Sequence, residues 1–309
     1  MDIVQKFAAL NQGGRLATSD ADGTFRPAKT PEGKPIPANG KTFYNAVVEH
    51  LYHHQAIGVY PLTENDTVKW CGVDLDVGDH DSLIHAANLE IVLEQFGIKA
   101  WTELSRSKGA HTLVYLTSEI PAETARYAML AACQIVAAPT TEIYPKQTSA
   151  KGGYGNGLRL AYPQSRTPGR QVVVDSDLKE IPLEDFVNEA YETAALNENL
   201  RVLADRYVRP KSSIIKTDAF RTRHTDTFGK IAKEIWDKGP KTGQDRSSML
   251  VAFAASLLRQ RFHSTDVEIL VAECDIRWGQ KYSKRADGAW RITELVRRTQ
   301  AEIAQGTLL

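Results

Sequence analysis

The sequence predicts an α+β domain followed by a small α-helical bundle. Up to about residue 200, strand and helix patterns alternate with hairpin-length connections, as in domains that combine a sheet with flanking helices. After the polar stretch that follows Arg209-Pro210, apolar residues recur only at helical spacing. The charge also changes sign, from 17 basic and 25 acidic residues among the first 200 to 21 basic and 13 acidic residues after them. We therefore expect a domain at residues 1–205, a linker at 206–225 and a bundle at 226–309.

The first part carries the strand patterns and two helix patterns. Apolar runs bounded by polar turns predict strands at residues 56–60, 68–77, 100–104, 112–116, 141–144 and 157–161. One helix is predicted from about Ser82 to Phe96, with Gly97 as its stop. A second helix opens at Pro121 and ends before Pro139.

Four helix patterns make up the second part. Apolar residues at helical spacing mark them at residues 228–235, 249–257, 267–274 and 292–303. Gly239-Pro240 stops the first of these helices, and a capping box of Thr265 and Glu268 is predicted to open the third. No internal repeat or low-complexity tract interrupts the pattern, so a small bundle is expected.

Composition limits the class of protein. With 309 residues, 42% of them hydrophobic and 25% charged, the chain is predicted to fold as one large or two ordinary globular domains. It has no apolar run of 18 residues, and residues 1–6 lack a signal-peptide pattern, so we expect a cytoplasmic protein without a membrane partner. The three cysteines, Cys71, Cys133 and Cys274, are far apart, which favours reduced core thiols over a structural zinc site.

The uneven charge bears on function although the formal net charge is zero. An acidic part joined to a basic part suits a metal-using domain attached to one that contacts phosphates. Ordinary variation of surface charge is the alternative interpretation.

A pair of acids on one predicted strand is the first chemical motif. Side chains alternate along a strand, so Asp74 and Asp76 should share one face while Val73, Leu75 and Val77 face a core. Adjacent carboxylates repel each other, and such a pair usually persists because a divalent cation or a substrate neutralises it. A solvated pair on an exposed strand face or at a strand end is the simpler alternative.

The second motif is the loop of residues 105–111 between two predicted strands. Its hydroxyl groups, basic residues and glycine could surround phosphate oxygens, although the order of a Walker loop is missing. A polar hairpin turn is the alternative. His111, at the start of an apolar strand, could equally be a hydrogen-bonded structural histidine.

The third motif supplies a third acid and further cations. Glu142 begins a strand-like segment and could join the two aspartates as a metal ligand, with Lys146 and Arg159 directed toward a triphosphate. Residues 146–156 could instead be a Gly-rich surface hairpin. Asp175 follows a comparable strand pattern and competes with Glu142 as the third acid.

These motifs in this order resemble the archaeo-eukaryotic primase superfamily over about residues 40–165, and more narrowly the primase-polymerases of phages, plasmids and other mobile elements. The resemblance implies a primase-type catalytic domain of mixed sheets with flanking helices. It also implies a nucleotidyltransferase, a DNA-directed primase and DNA polymerase that extends DNA and makes primers on single-stranded DNA during replication of a phage or plasmid.

The resemblance also implies roles for particular residues. Asp74, Asp76 and Glu142 match carboxylates that hold two Mg²⁺ or Mn²⁺ ions. The matching nucleotide-binding residues are Tyr60, Ser105, Ser107, Lys108, His111, Lys146, Gln147, Asn156 and Arg159. Tyr60 corresponds to an aromatic residue near the sugar in some relatives. The third acid departs from the commoner Asp, and the zinc module of several relatives is absent from the sequence.

The bundle resembles the helical domain that follows the catalytic domain in such enzymes and helps to hold the template and the initiating nucleotide. Lys284, Arg285, Arg297 and Arg298 are candidate phosphate contacts, and a solvated helical surface is the alternative. Expected partners are a single-stranded DNA template, dNTPs or NTPs, and a replicative helicase in cis or in trans. A metal-dependent nuclease and a non-catalytic, DNA-binding replication initiator remain open as other functions.

Overall fold

A computed structural model describes residues 1–19, 25–138, 142–166, 169–208, 227–241, 243–283 and 288–306. The chain divides into two compact units, Met1–Tyr207 and Val208–Leu309, and each unit has its own core of buried apolar side chains. Most of the segment expected to be a linker lies outside the described residues. No helix in the described part of the chain is long and apolar enough to cross a membrane.

The first unit contains two antiparallel sheets, which with the helices confirm the predicted α+β class. The strands of the first sheet are, in spatial order, β2 (Phe25–Pro27), β1 (Arg15–Ser19), β3 (Ile57–Tyr60) and β8 (Leu158–Arg159). Those of the second are β7 (Glu142–Tyr144), β4 (Thr67–Leu75), β6 (Ala110–Pro121), β5 (Trp101–Leu104) and β9 (Val173–Val174).

The helices of this unit are α1 (Ile3–Leu10), α2 (Gly40–Tyr52), α3 (Asp79–Gln95), α4 (Ala122–Ile135), α5 (Leu183–Glu192) and α6 (Asn197–Ala204). Only α3 and α4 were predicted. The first helix has a local signal, because Asp2 and Gln5 form a capping box at its start. The apolar faces of α1 and α2 line the core that also contains Trp70, Trp101 and Tyr115 of the second sheet.

The strand that carries the acid pair ends earlier than predicted. Val73 and Leu75 are buried as expected, but β4 ends at Leu75, and Val77 is 44% exposed. Gly78, with φ +99°, turns the chain into α3 directly afterwards. The prediction that Val77 faces a core was therefore wrong, and Asp76 lies just beyond the strand.

A buried histidine ties α2 to the first sheet. His50 Nε2 donates to the Ala161 carbonyl oxygen at 2.8 Å, and its Nδ1 accepts from the Ile57 amide at 3.2 Å. Both ring nitrogens are used by the neutral imidazole, and a second proton on Nδ1 would face an N–H donor. Burial accordingly lowers the pKa of His50 to about 4, although the bond to Ala161 opposes this shift.

Acidification should destabilise the protein through His50. Its folded-state pKa lies below the unfolded value, so the unfolded chain takes up the proton first and stability is lost as the pH falls from about 6.5 toward 4. Between pH 7 and pH 5 we expect a loss of about 2 kcal/mol in urea unfolding that His50→Gln does not show. Exposed His54 provides the control His54→Gln, which should retain the wild-type slope. An identical slope in His50→Gln would contradict this assignment.

The described part of the second unit is helical, as predicted. It contains α7 (Lys230–Lys238), α8 (Arg246–Arg259), α9 (Ser264–Arg277) and α10 (Gly288–Ala304), which pack around an apolar core. The predicted capping box is wrong, because the residue that precedes α9 is His263 and its side chain makes no capping bond. Helix α9 starts at Ser264, so Thr265 lies inside it, and Glu268 instead accepts from Thr293 Oγ1 at 2.9 Å.

Candidate active site

Four titratable side chains form a row across neighbouring strands of the second sheet. In the register of the sheet, Glu103 on β5 lies opposite His111 on β6, His111 lies opposite Asp74 on β4, and Asp74 lies opposite Glu142 on β7. Directly opposite residues of antiparallel strands project from the same face. We call these four residues the polar row.

The polar row is held together by close electrostatic contacts. His111 Nε2 lies 3.6 Å from Asp74 Oδ1, and His111 Nδ1 lies 3.5 Å from Glu103 Oε2. Burial by itself lowers the pKa of His111, but the carboxylates of the row outweigh this effect and leave the pKa above its ordinary value. Burial raises the pKa of Asp74, His111 opposes that rise, and the charges of Glu142 and Asp76 add to it.

Asp76 lies beside the loop that joins β5 and β6. Its Oδ1 is 3.3 Å from Lys108 Nζ, and the two side chains are 58% and 63% exposed. Ion pairs as exposed as this one are weak and exchange partners readily. The pair therefore brings the second acid and the predicted phosphate-binding loop together without fixing either side chain.

Glu142 is positioned by the helix α4 and meets two polar side chains. Arg126 Nη1 donates to the carbonyl oxygens of Ile143 at 3.1 Å and Pro145 at 2.8 Å, which holds the short strand β7 in place. Lys146 Nζ donates to Glu142 Oε1 at 2.8 Å, and Asn156 Nδ2 lies 3.4 Å from the same oxygen. The structure thus brings Lys146 and Asn156 to the third acid.

The acids suit a divalent cation by their chemistry but do not form a ready-made cage. Asp74, Asp76 and Glu142 offer only carboxylate oxygens, the ligands that Mg²⁺ and Mn²⁺ prefer. As the side chains are placed, no three His, Cys, Asp or Glu residues in the described ranges stand close enough to hold a metal ion. Instead each acid faces a cationic partner, His111, Lys108 or Lys146.

The loop of residues 105–109 closes the β5–β6 hairpin and is anchored to residues of β4 and α3. Gly109 has φ +75°, and a Cβ atom there would lie 2.2 Å from the Leu75 carbonyl oxygen. Its amide donates to Asp79 Oδ1 at 2.6 Å. Only glycine permits this approach, so the loop is fixed against the end of the strand that carries Asp74.

An arginine from outside the hairpin joins both ends of the same loop. Arg170 Nε donates to the Ser105 carbonyl oxygen at 2.6 Å, and its Nη2 donates to the Gly109 carbonyl oxygen at 3.0 Å. Nη2 also lies 3.3 Å from Asp79 Oδ1. With the backbone held in this way, the tip residues Ser107 and Lys108 remain exposed.

Two arginines near the site influence each other electrostatically. Burial lowers the pKa of the Arg159 guanidinium on β8, and the charge of Arg106 lowers it further. The Arg159 guanidinium also lies over the ring of Phe25, 5.3 Å from its centroid. Neighbouring guanidinium groups repel each other until an anion such as a phosphate joins them.

Tyr60 ends β3, which pairs with the strand that carries Arg159. A Cβ atom at Gly157 would lie 3.0 Å from the Tyr60 ring, so the glycine makes room for the ring. Burial raises the pKa of the Tyr60 hydroxyl, and Arg15 partly offsets the rise. Tyr60 and Arg159 sit on the first sheet, whereas the acids sit on the second.

Residues 38–195, slightly more than half of the chain, match the family model described as the archaeo-eukaryotic primase domain of TOTE conflict systems. The chain belongs to the archaeo-eukaryotic primase family. This confirms the resemblance of the sequence motifs to the archaeo-eukaryotic primase superfamily. Members of the family are nucleotidyltransferases, and its polymerase-type domains generally use divalent metals.

Among solved structures, the chain is similar to the polymerase domain of Mycobacterium tuberculosis Ligase D in complex with DNA. The two share 12% sequence identity, and the match covers 65% of this chain and 91% of that chain with a TM-score of 0.34. No curated protein matches the chain.

Not every residue predicted for the candidate site points toward the acids. The Gln147 side chain donates to the carbonyl oxygens of Ser149, at 3.2 Å, and of Gly153, so it faces its own loop. Ser105 contributes its carbonyl oxygen to the bond with Arg170. Asp175 accepts from the amides of Asp177 and Lys179, both at 2.9 Å, and caps an exposed turn.

The candidate DNA contacts of the helical unit are only partly described. Lys284 and Arg285 lie outside the described residues. On α10, Arg297 pairs with Glu294 at 2.6 Å and Arg298 pairs with Glu302 at 2.8 Å. Each of these arginines therefore already has a carboxylate partner on its own helix.

Three residues of the candidate site were not predicted from the sequence. Arg106 lies between Ser105 and Ser107 in the predicted phosphate-binding loop, so its position in the sequence already indicated a role at the site. Glu103 could have been found from the hairpin, because a five-residue loop that pairs Leu104 with Ala110 also pairs Glu103 with His111. Arg170 has no local signal, since its bonds to the loop span more than 60 residues of sequence.

Loss of Arg170 should weaken nucleotide binding by the primase domain. In Arg170→Ala the loop of residues 105–109 loses both anchors from this side chain, and we expect the KM for nucleotide to rise about tenfold. Arg170→Lys should recover part of the loss. The control is Arg166→Ala, which breaks the 2.7 Å pair with Glu180 away from the loop and should leave the KM unchanged. Equal effects of the two alanine variants would show that the loop anchor is unimportant.

Proposed function

We propose that this chain is a DNA primase-polymerase that adds nucleotides to a strand directed by a single-stranded DNA template. The observation that carries the proposal is the polar row, in which Asp74 and Glu142 are paired in register beside an anchored, cation-bearing loop. Replication of a phage or plasmid, with a replicative helicase in cis or in trans, is the setting that the sequence resemblance suggests. The match to a conflict-system domain favours a conflict system as a second biological setting. The proposed reaction is the same in both settings.

In this reaction a 3′-hydroxyl attacks the α-phosphate of a nucleoside triphosphate and pyrophosphate leaves. Asp74, Asp76 and Glu142 would hold two Mg²⁺ or Mn²⁺ ions, which when bound stabilise the attacking and leaving oxygens. The pKa of Asp74 is raised by burial and by the neighbouring acids, so its ionised form gains from any added positive charge.

The cations around the acids would bind the triphosphate. Lys108 and Lys146 neutralise Asp76 and Glu142 in the structure, and both are more than one-third exposed, so exchanging a carboxylate for a phosphate costs little desolvation. The Arg106 and Arg159 guanidinium groups would share a phosphate that relieves their repulsion. His111, buried beside Asp74, would donate from Nε2 to a phosphate oxygen.

Other residues would contact the sugar and the phosphates of the nucleotide. Tyr60 would lie near the sugar and influence the choice between ribonucleotides and deoxyribonucleotides. Asn156 and the serine hydroxyls of Ser105 and Ser107 would add hydrogen bonds around the phosphates. Gln147 would take part only after turning away from the carbonyl oxygens of Ser149 and Gly153.

A synthesis assay on end-labelled single-stranded DNA tests the proposal. Ribonucleotides and deoxyribonucleotides are supplied separately, with Mg²⁺ or Mn²⁺, in the presence and absence of a primer. Template-dependent products that require the metal support the proposal. Cleavage of the labelled strand without added nucleotide would favour a nuclease. DNA binding without metal-dependent nucleotide binding would favour a non-catalytic replication initiator.

The helical unit would act during primer initiation. It has its own apolar core and belongs to the basic part of the chain, as expected of a separate module that contacts phosphates. Truncation after residue 210 should reduce dinucleotide formation at least about tenfold more than extension of an existing primer. In extension, the primer terminus is already held by pairing with the template. Both activities are measured on the same template. Equal losses would contradict a separate role in initiation.

A further inference from the structure

Glu103 is a buried carboxylate that has no role in the reaction proposed above. Its side chain is 2% exposed, and it lies on β5 between His111 on one neighbouring strand and Val173 on the other. It also lines a small cavity together with Trp70, Tyr115 and Arg159. A carboxylate is rarely this buried unless it has a partner.

The partner of Glu103 is His111. Within the described ranges, His111 is the one basic side chain within 4 Å of the Glu103 carboxylate. Glu103 Oε2 and His111 Nδ1 lie 3.5 Å apart, and within the same ranges neither atom has a hydrogen-bond partner. The two atoms therefore face each other in a buried space and need only a small shift to form a hydrogen bond.

The two ring nitrogens of His111 consequently have different surroundings. Nδ1 points to Glu103 inside the protein, and Nε2 points to Asp74, whose side chain is 23% exposed. A carboxylate at Nδ1 fixes the rotation of the imidazole and keeps a proton on that nitrogen. The other nitrogen is then held toward the open side of the polar row.

We propose that Glu103 is a positioning residue that orients His111 for the nucleotide phosphates. This inference rests on the proposed function, because it gives His111 the phosphate-binding role stated there. Glu103 itself does not touch the substrate and acts through the imidazole. Its lateral position, one strand beyond His111, puts it on the side of His111 away from Asp74 and Glu142.

Glu90 provides a matched control, because its side chain contacts the opposite face of β5. It lies on α3, is partly buried, and its Oε1 accepts from Thr102 Oγ1 at 2.7 Å. Thr102 is the neighbour of Glu103 in β5, so its side chain points away from the polar row. Replacing Glu90 disturbs the packing of β5 without touching His111.

Kinetics of the full chain test the proposal first. Glu103→Ala should reduce kcat/KM for nucleotide about 10- to 100-fold, mainly by raising the KM for nucleotide, with the KM for primer-template unchanged. Glu103→Gln retains an acceptor for Nδ1 and should recover most of the loss. Glu90→Ala should change neither KM. The proposal is overturned if Glu103→Ala matches wild type, or if Glu90→Ala raises the nucleotide KM as strongly.

A double-mutant cycle separates positioning from support of the fold. In a His111→Ala background, Glu103→Ala should have no further effect on the nucleotide KM, because the group that it positions is gone. Additive losses would overturn the proposal. Thermal unfolding of each variant identifies those that fail to fold, and for these the glutamine variant supplies the comparison.

A spectroscopic readout keeps the inference separate from the proposed function. In ¹⁵N-histidine NMR of the full chain, both ring nitrogens of His111 should be protonated in wild type and in Glu90→Ala, as donation from Nε2 requires, and the Nδ1 signal should change in Glu103→Ala. An unchanged His111 signal in Glu103→Ala would overturn the inference. If wild type adds no nucleotide, the proposed function fails, whereas this NMR comparison still decides whether Glu103 orients His111.

Discussion

Replacing Asp74 and Asp76 together with alanine should abolish nucleotide addition and leave the fold intact. The two carboxylates would supply two of the three proposed metal ligands, and loss of a single preorganised charged contact already costs about a hundredfold or more in rate. We expect the double variant to lose at least about a thousandfold. The fold should survive because burial and neighbouring acids raise the pKa of Asp74, so its ionised form is already unfavourable there.

Primer extension and thermal unfolding of the same preparations measure the two halves of this prediction. The midpoint of unfolding should stay close to that of wild type, since removing Asp74 relieves its repulsion with Glu142 and Asp76 but also loses its contact with His111. Asp177→Ala is the control, because Asp177 is 72% exposed and follows β9, which β6 and β5 separate from the strand of Asp74. Undiminished extension by the double variant would refute the assignment of these acids.

The sequence was most informative where the deciding contacts are local. Alternation along β4 correctly separated buried Val73 and Leu75 from Asp74, because the period of a strand holds over any run of a few residues. The alternation failed at Val77, because β4 ends at Leu75 and Gly78 then turns the chain into α3. The end of a strand depends on the turn and the helix that come after it, and the apolar pattern of 68–77 does not contain that information.

Long-range contacts account for most of what the sequence could not provide. Arg170 reaches the 105–109 loop only after the chain has passed through α4, β7 and β8. The strand predicted at 157–161 is only two residues long in the structure, where it forms β8 (Leu158–Arg159) beside β3. The arrangement of Arg159 beside Arg106 also depends on how the two sheets of the first unit pack against each other.

The choice of third acid was left open by the sequence, and the order of strands in the sheet favours Glu142 over Asp175. Glu142 and Asp175 each adjoin a short apolar strand, and their local patterns do not distinguish them. In the sheet, β7 lies directly beside β4, whereas β9 is separated from β4 by β6 and β5. Glu142 is consequently opposite Asp74, and Asp175 instead caps its own turn.

Glu142→Gln should therefore inactivate nucleotide addition, whereas Asp175→Asn should leave it within about twofold of wild type. The glutamine keeps the size of the side chain and a bond to Lys146 or Asn156, so a loss of about a hundredfold or more would come from the missing charge opposite Asp74. Extension rates at saturating and limiting Mg²⁺ measure the effect, because a lost metal ligand also raises the metal concentration needed. If Asp175→Asn were the inactive variant, the third ligand would have to come from the opposite edge of the sheet, and the register of β7 with β4 would have no catalytic meaning.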